Sequence, residues 1–158
     1  MMKKVRNRKN SILIAVAAFA FAAFSSPFIG SALSGQEQVL QKKSGFAQAQ
    51  LLEGTWVRPD GGYRLVIEDV KPDGSLKASY YNPKKINVSI SNWKVENDRL
   101  HLFVELRDTN YPGSTYSLMY AKEKDVLGGT YFLAVTKESY SIRFLRIPED
   151  KINRTNGE

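Results

Sequence analysis

Between Gly54 and Ile147 apolar residues alternate with polar ones, and turn signals interrupt the alternation roughly every 8–14 residues. A period of two buries one face of an extended strand, whereas a helix needs a period near 3.6, which this stretch lacks. The pattern predicts eight strands, over 54–58, 62–70, 75–81, 86–95, 99–107, 114–121, 126–135 and 139–147. The turns between them are Pro59-Asp60-Gly61, Pro72-Asp73-Gly74, Asn82-Pro83, Asn97-Asp98, Pro112-Gly113, Lys124-Asp125 and Lys137-Glu138. Gly supplies positive φ, and Pro presets φ while lacking a ladder donor. Every connection is short, so consecutive strands should pair as antiparallel hairpins. Closing such a meander removes two exposed edges, and a sandwich would need a long crossover that the sequence lacks. The expected fold class is all-β: an eight-stranded antiparallel up-and-down β-barrel over 51–148.

Alternation also assigns faces. Leu100, Leu102, Val104 and Leu106 should point inward, and His101, Phe103, Glu105 and Arg107 outward. Tyr63, Leu65 and Ile67 form another inward set, as do Tyr116, Leu118 and Tyr120, then Leu127, Gly129 and Tyr131, then Tyr140, Ile142 and Phe144. Over 86–95 the phase slips from Ile86, Val88 and Ile90 to Trp93 and Val95, which predicts a β-bulge near Ser91-Asn92.

A meander sends alternate loops to opposite ends. One end receives the tight, charged turns 70–74, 96–98 and 122–124. The other receives 58–61, 82–85, 108–113 and 136–138, of which 108–113 is the longest. Binding groups concentrate on loops held by a rigid scaffold, so the second end is the expected mouth. Tyr63, Tyr80, Tyr116, Tyr131 and Tyr140 should point inward near it, with Asn82, Asp108, Asn110 and Tyr111 on its loops. An unpaired buried phenol costs about 1–3 kcal/mol, so five of them imply either a hydrated or ligand-filled cavity, or rings that fill the barrel and bond one another. Asp108 and Asn110 have a second reading, as caps of their own loop. At the opposite end, Trp56 and Arg146 should meet in a cation–π contact that plugs the floor.

Gly54-Thr55-Trp56 opening the first strand, a basic residue on the last and an eight-stranded meander together resemble the calycins, the lipocalins and avidins. The turn Asp73-Gly74-Ser75-Leu76 is nearer the avidin side. The resemblance covers about residues 53–147 and implies one small-molecule site inside the open end. It does not extend to biotin, because the avidin site uses several tryptophans and this chain has 2, with Trp93 near the base. The chain is also similar in outline to periplasmic metalloprotease-inhibitor barrels, which act through an N-terminal arm. Their usual disulfide has no counterpart here, since the chain has 0 cysteines.

The lack of cysteine excludes disulfide scaffolds and Cys-based zinc or nucleophile sites, and a single histidine excludes a multi-His metal site. Residues 1–34 hold Lys3, Lys4, Arg6, Arg8 and Lys9, no acid, and an apolar run from Ser11 to Phe24. They read as an export signal ending at Ala32-Leu33-Ser34, or as an uncleaved anchor, which alone would attach the chain to a membrane. Either way the domain is expected outside the cytoplasm, periplasmic or secreted. Of the net charge of +7, this leader carries +5, which leaves no basic stripe for nucleic acid. Residues 35–50 are Gln-rich and read as a flexible linker or arm, and 149–158 as a flexible tail.

No catalytic constellation emerges. His101 and Glu105 share a face but lie about 13 Å apart along a strand, and nucleophile-elbow, zinc-helix, phosphate-loop and EF-hand motifs are missing. No cofactor is implied. Phe103, Met119, Phe132 and Leu145 fall on outward positions of the last four strands and suggest a homodimer face, unless 35–50 folds back over them. The sequence thus points to an exported, non-enzymatic barrel binding a small molecule at a tyrosine-lined mouth. The alternative is a protein-binding module, an inhibitor or envelope-complex subunit, using its arm or outer face.

Overall fold

The computed structural model describes residues 35–148 together with Lys3 and Lys4. The expected leader, apart from those two lysines, and the tail lie outside the described residues. The strands are β1 (Lys3–Lys4), β2 (Gly54–Val57), β3 (Arg64–Glu68), β4 (Lys77–Asn82), β5 (Lys84–Ile86), β6 (Val88–Glu96), β7 (Arg99–Asp108), β8 (Tyr111–Ala121), β9 (Val126–Leu133) and β10 (Glu138–Ile147). Nine of them lie in the order β5-β4-β3-β2-β10-β9-β8-β7-β6, and β1 adds a short pairing to β10. All pairings are antiparallel, and apart from β2 with β10 the nine join strands consecutive in the chain. The short connections read from the sequence leave few other partners within reach.

The sheet curls into a nearly closed barrel. The short strand β2 and the long strand β10 join through Thr55↔Ile147, Trp56↔Arg146 and Val57↔Leu145. The remaining seam, between β4 and β6, is thinner. It holds one bridge, Ser75↔Asn92, with the Trp93 N–H donating to the Gly74 carbonyl at 2.8 Å and the Ser91 hydroxyl to the Leu76 carbonyl at 2.7 Å. The expected strand over 86–95 is divided here. β5 folds back on β4 as a hairpin, and β6 begins after Asn87, whose side-chain amide donates to the Arg107 carbonyl at 3.0 Å. The row therefore has nine strands rather than eight.

The inward assignments place the core correctly: Leu65, Ile67, Leu102, Val104, Leu106, Tyr116, Leu118, Leu127 and Phe144 are all but fully buried. The bulge on β6 exists, but at Ser89, between Val88↔Leu106 and Ile90↔Glu105, rather than near Ser91-Asn92. Its earlier position turns Ile90 outward, 45% exposed, and brings Ser91 and Trp93 opposite the inward Val104 and Leu102. Val95, expected inside, is exposed at the rim of the base. A second shift, unforeseen, lies on β8 between Leu106↔Ser114 and Arg107↔Pro112, where Gly113 takes φ +94°.

Residues 35–50, expected as a loose arm, instead form helix α1 (Gly35–Ala49), continued by a 3₁₀ turn over Gln50–Leu52. Glu, Gln, Lys and Ala favour helix even where the apolar stripe is narrow. Only a short seam docks: Gly45 approaches Val95, Phe46 packs beside Trp93 at 6.5 Å, and Ala49 and Leu52 are fully buried. The 3₁₀ turn seals the base. The Trp56 indole donates to the Leu52 carbonyl at 2.8 Å, and the Arg146 guanidinium lies over that indole at 4.1 Å. Arg146 also donates to the Leu51 and Glu53 carbonyls and to Asp125, so the expected floor contact is present with more partners than foreseen.

Of the four outward apolar residues, Phe103 lies opposite Ser117, Met119 opposite His101, Phe132 opposite Thr115 and Leu145 opposite Val57 and Val126, so no two of the four are direct register partners, and Phe103 and Met119 are diagonal neighbours. Inside, Gly129 sits where an added Cβ would collide with the Ser117 carbonyl oxygen, whereas Gly128 next to it has open space. Backbone atoms in a ladder cannot step aside. Gly129→Ala is therefore expected to lower stability by about 2–3 kcal/mol, and Gly128→Ala to change it by less than about 0.5 kcal/mol. Urea unfolding of the two variants checks this.

Candidate functional site

The end opposite the plug stays open. Its rim consists of the 58–63 loop, the Asn82–Lys84 corner, the β7–β8 turn and the β9–β10 turn. The β7–β8 connection, expected as a long loop over 108–113, is instead a tight hairpin in which Asp108 and Tyr111 are register partners. Two features allow this. The phase change is absorbed at Gly113, and the Asp108 carboxylate accepts from the backbone N–H of Thr109 at 2.7 Å and of Asn87 at 3.1 Å.

Inside the rim is a cavity of about 340 Å³. Tyr63, Tyr80 and Asn82 line one side, Asn110 and Tyr111 come from the hairpin, and Tyr131 and Tyr140, register partners on β9 and β10, line the other. Two of the predicted residues lie elsewhere. Asp108 caps its turn, as its alternative reading had it, and Tyr116 lies beneath the cavity, fully buried. Tyr116 stacks on Tyr131 at 4.6 Å and meets Phe144 and Tyr80 at 5.3 and 5.5 Å. Its hydroxyl is 2.8 Å from that of Tyr80. The phenols thus lie at two depths: Tyr116 packs and bonds within the lower barrel, and Tyr63, Tyr111, Tyr131 and Tyr140 line the cavity above it.

Arg58 and Leu133 complete the lining and were not among the predicted site residues. Both were accessible by parity, each lying two positions beyond an inward ring, Trp56 and Tyr131. Arg58 is 2% exposed. Its guanidinium forks onto Asp60 (Nε to Oδ1 3.0 Å, a terminal nitrogen to Oδ2 2.7 Å), donates to the Tyr116 hydroxyl at 3.2 Å and lies 4.1 Å from the Tyr63 ring centre. Burial opposes its charge, and Asp60 with Tyr116 more than compensates, raising its pKa further above the ordinary value. The hydrogen bond from Arg58 holds the Asp60 carboxyl below the usual carboxylate range. Burial raises the Tyr80, Tyr116 and Tyr131 phenols further above their ordinary value.

Elsewhere, His101 pairs outward beside Lys94 and Met119, and Glu105 is held by Ser89 and Arg107. Among the described residues no three His, Asp or Glu side chains converge as metal ligands. Set against protein-family models, curated proteins and solved structures, the chain matches none.

Removing Asp60 leaves the buried Arg58 charge without its fork. Asp60→Ala should cost about 3 kcal/mol, read as a lower urea midpoint. The pH dependence follows from the direction of the shift. A carboxyl held low in the fold stabilises it above the unfolded pKa of about 4 and loses that contribution as pH falls through the folded value. Wild type should therefore lose more stability between pH 5 and 3 than Asp60→Asn, in parallel urea titrations.

Proposed function

We propose that this chain is an exported, non-enzymatic barrel of calycin type that holds one small molecule in the tyrosine-lined cavity. The observation that carries the reading is the cavity itself. Its volume of about 340 Å³ falls within the range of small-ligand sites, and its walls combine aromatic rings with a few convergent polar groups, the usual composition of such sites. The plug of Trp56 and Arg146 makes the barrel one-ended, as calycin-type binders are. Seven of the lining residues come from strands or the tight turns between them, so the pocket is held by the ladder. The basic, then apolar, leader supports export.

A second reading, a protein-binding module, draws on α1. Val39 and Leu40 are 66% and 65% exposed on it, an apolar pair pointing away from the barrel. Native mass spectrometry of the protein taken from its own compartment separates the two. The small-molecule reading expects an added small mass that is lost on mild activation, and a lower thermal midpoint after its removal. Bare chain accompanied by a second protein would favour the other reading and overturn this one.

A further inference from the structure

Resting on the reading of the cavity as a small-molecule site, we propose that its ligand carries a carboxylate, seated on the phenolic hydrogens of Tyr80 and Tyr111 with its negative charge toward Arg58 and the lysine rim. The first support is a count of hydrogens. Arg58 has no acceptor atom, so it must donate to the Tyr116 oxygen. Tyr80 and Tyr116 share one hydrogen bond, which uses one of their two phenolic hydrogens. A hydrogen left over on Tyr116 would be sealed beneath the cavity, whereas one left on Tyr80 can meet a ligand in the cavity that Tyr80 lines. With a ligand bound, the order is therefore Arg58 to Tyr116 to Tyr80. The remaining hydrogen lies on Tyr80, which is 1% exposed and lines the cavity. Tyr111 repeats the logic. Its oxygen accepts from the Asn82 side-chain amide at 2.6 Å, so its own hydrogen is available, and its ring meets that of Tyr80 edge-on at 6.3 Å. Two phenol donors thus converge on one cavity, and neither hydrogen has an acceptor among the described residues.

The second support is charge. Every acid at the mouth is already matched: Asp60 by Arg58, Asp108 by two backbone N–H groups and Glu138 by the Tyr140 hydroxyl at 2.6 Å. The bases are not. Lys84 and Lys85 on β5, next to the lining residue Asn82, and Lys137 in the β9–β10 turn form no ion pair among the described residues. Donors in excess inside and cations in excess at the rim both select an acceptor that is negatively charged. The rings of Tyr63, Tyr131 and Tyr140 give the remainder of the cavity flat apolar walls, which suit an aromatic body.

Three probes of one size and shape test this: phenylacetate, phenylacetamide and phenethylamine, titrated against the full chain with backbone amide shifts of the mouth residues as readout. Phenylacetate should bind about tenfold more tightly than the amide, with the amine weakest, and only the acid should weaken as salt rises. Tyr111→Phe should weaken the acid about tenfold and leave the amine unchanged. It removes one hydroxyl at a half-buried hairpin position, and an unchanged thermal midpoint would show the fold intact. Amide or amine binding as tightly as the acid at the mouth would overturn the carboxylate and leave the site. If none of the three shifts a mouth residue at millimolar concentration, the small-molecule reading itself falls.

Discussion

The pairing of β2 with β10 is the contact on which the rest of this structure depends. Without it the strands fall into two ribbons, β2 to β5 and β6 to β10, joined only by the thin seam between β4 and β6. Here β2 and β10 meet at Trp56↔Arg146, and the same two side chains stack as indole and guanidinium. Closure therefore coincides with the strongest polar anchor at the base, where Arg146 also ties down the 3₁₀ turn and Asp125. Asp125 and Arg146 reinforce one another, the carboxyl held low by Arg146 and the guanidinium raised by Asp125 against its burial.

Two arginines thus organise the two ends of one barrel, with opposite results. Arg146 lies over an aromatic ring with backbone wrapped around it, and the end is sealed. Arg58 lies beneath an aromatic ring with its partner Asp60 at the rim, and the space above remains open. The difference lies in what covers each. The base has the continuation of α1, while the mouth has the 58–63 loop and tight turns, which line the cavity without covering it. Above the Trp56 floor the interior passes through Phe144 and Tyr116 to the phenols of the rim, and no buried side-chain polar atom among the described residues is left without a partner.

Much of the cavity lining was legible because strand parity is strict. Once Tyr131 and Tyr140 are read as inward, their neighbours across the ladder follow, and seven of the nine predicted positions line the cavity. Depth was less legible. Tyr116 shares the parity of the lining residues but lies one layer below them, and alternation carries no information on height along the barrel axis. Asp108 shows the opposite limit: a carboxylate in a turn has backbone donors nearer than any cavity, and local hydrogen bonds prevail. Ile90 shows a third. Its side chain matches the inward pattern, and only the extra residue at Ser89, which depends on pairing with β7, turns it to solvent.

The amino-acid sequence alone determined the all-β class, the nearest-neighbour order, the inward faces of most strands and the aromatic character of one end. All of these follow from a two-residue period and short turns, which are local properties. Tertiary structure decided the rest: the bulge positions, the return strand β5 at the seam, the docking of α1 on the base, and the network in which Arg58 joins Asp60, Tyr116 and Tyr80. Each of those needs groups from distant parts of the chain to come within hydrogen-bond or van der Waals distance, 58 residues apart for Arg58 and Tyr116. A periodic pattern cannot encode such distances until the sheet closes.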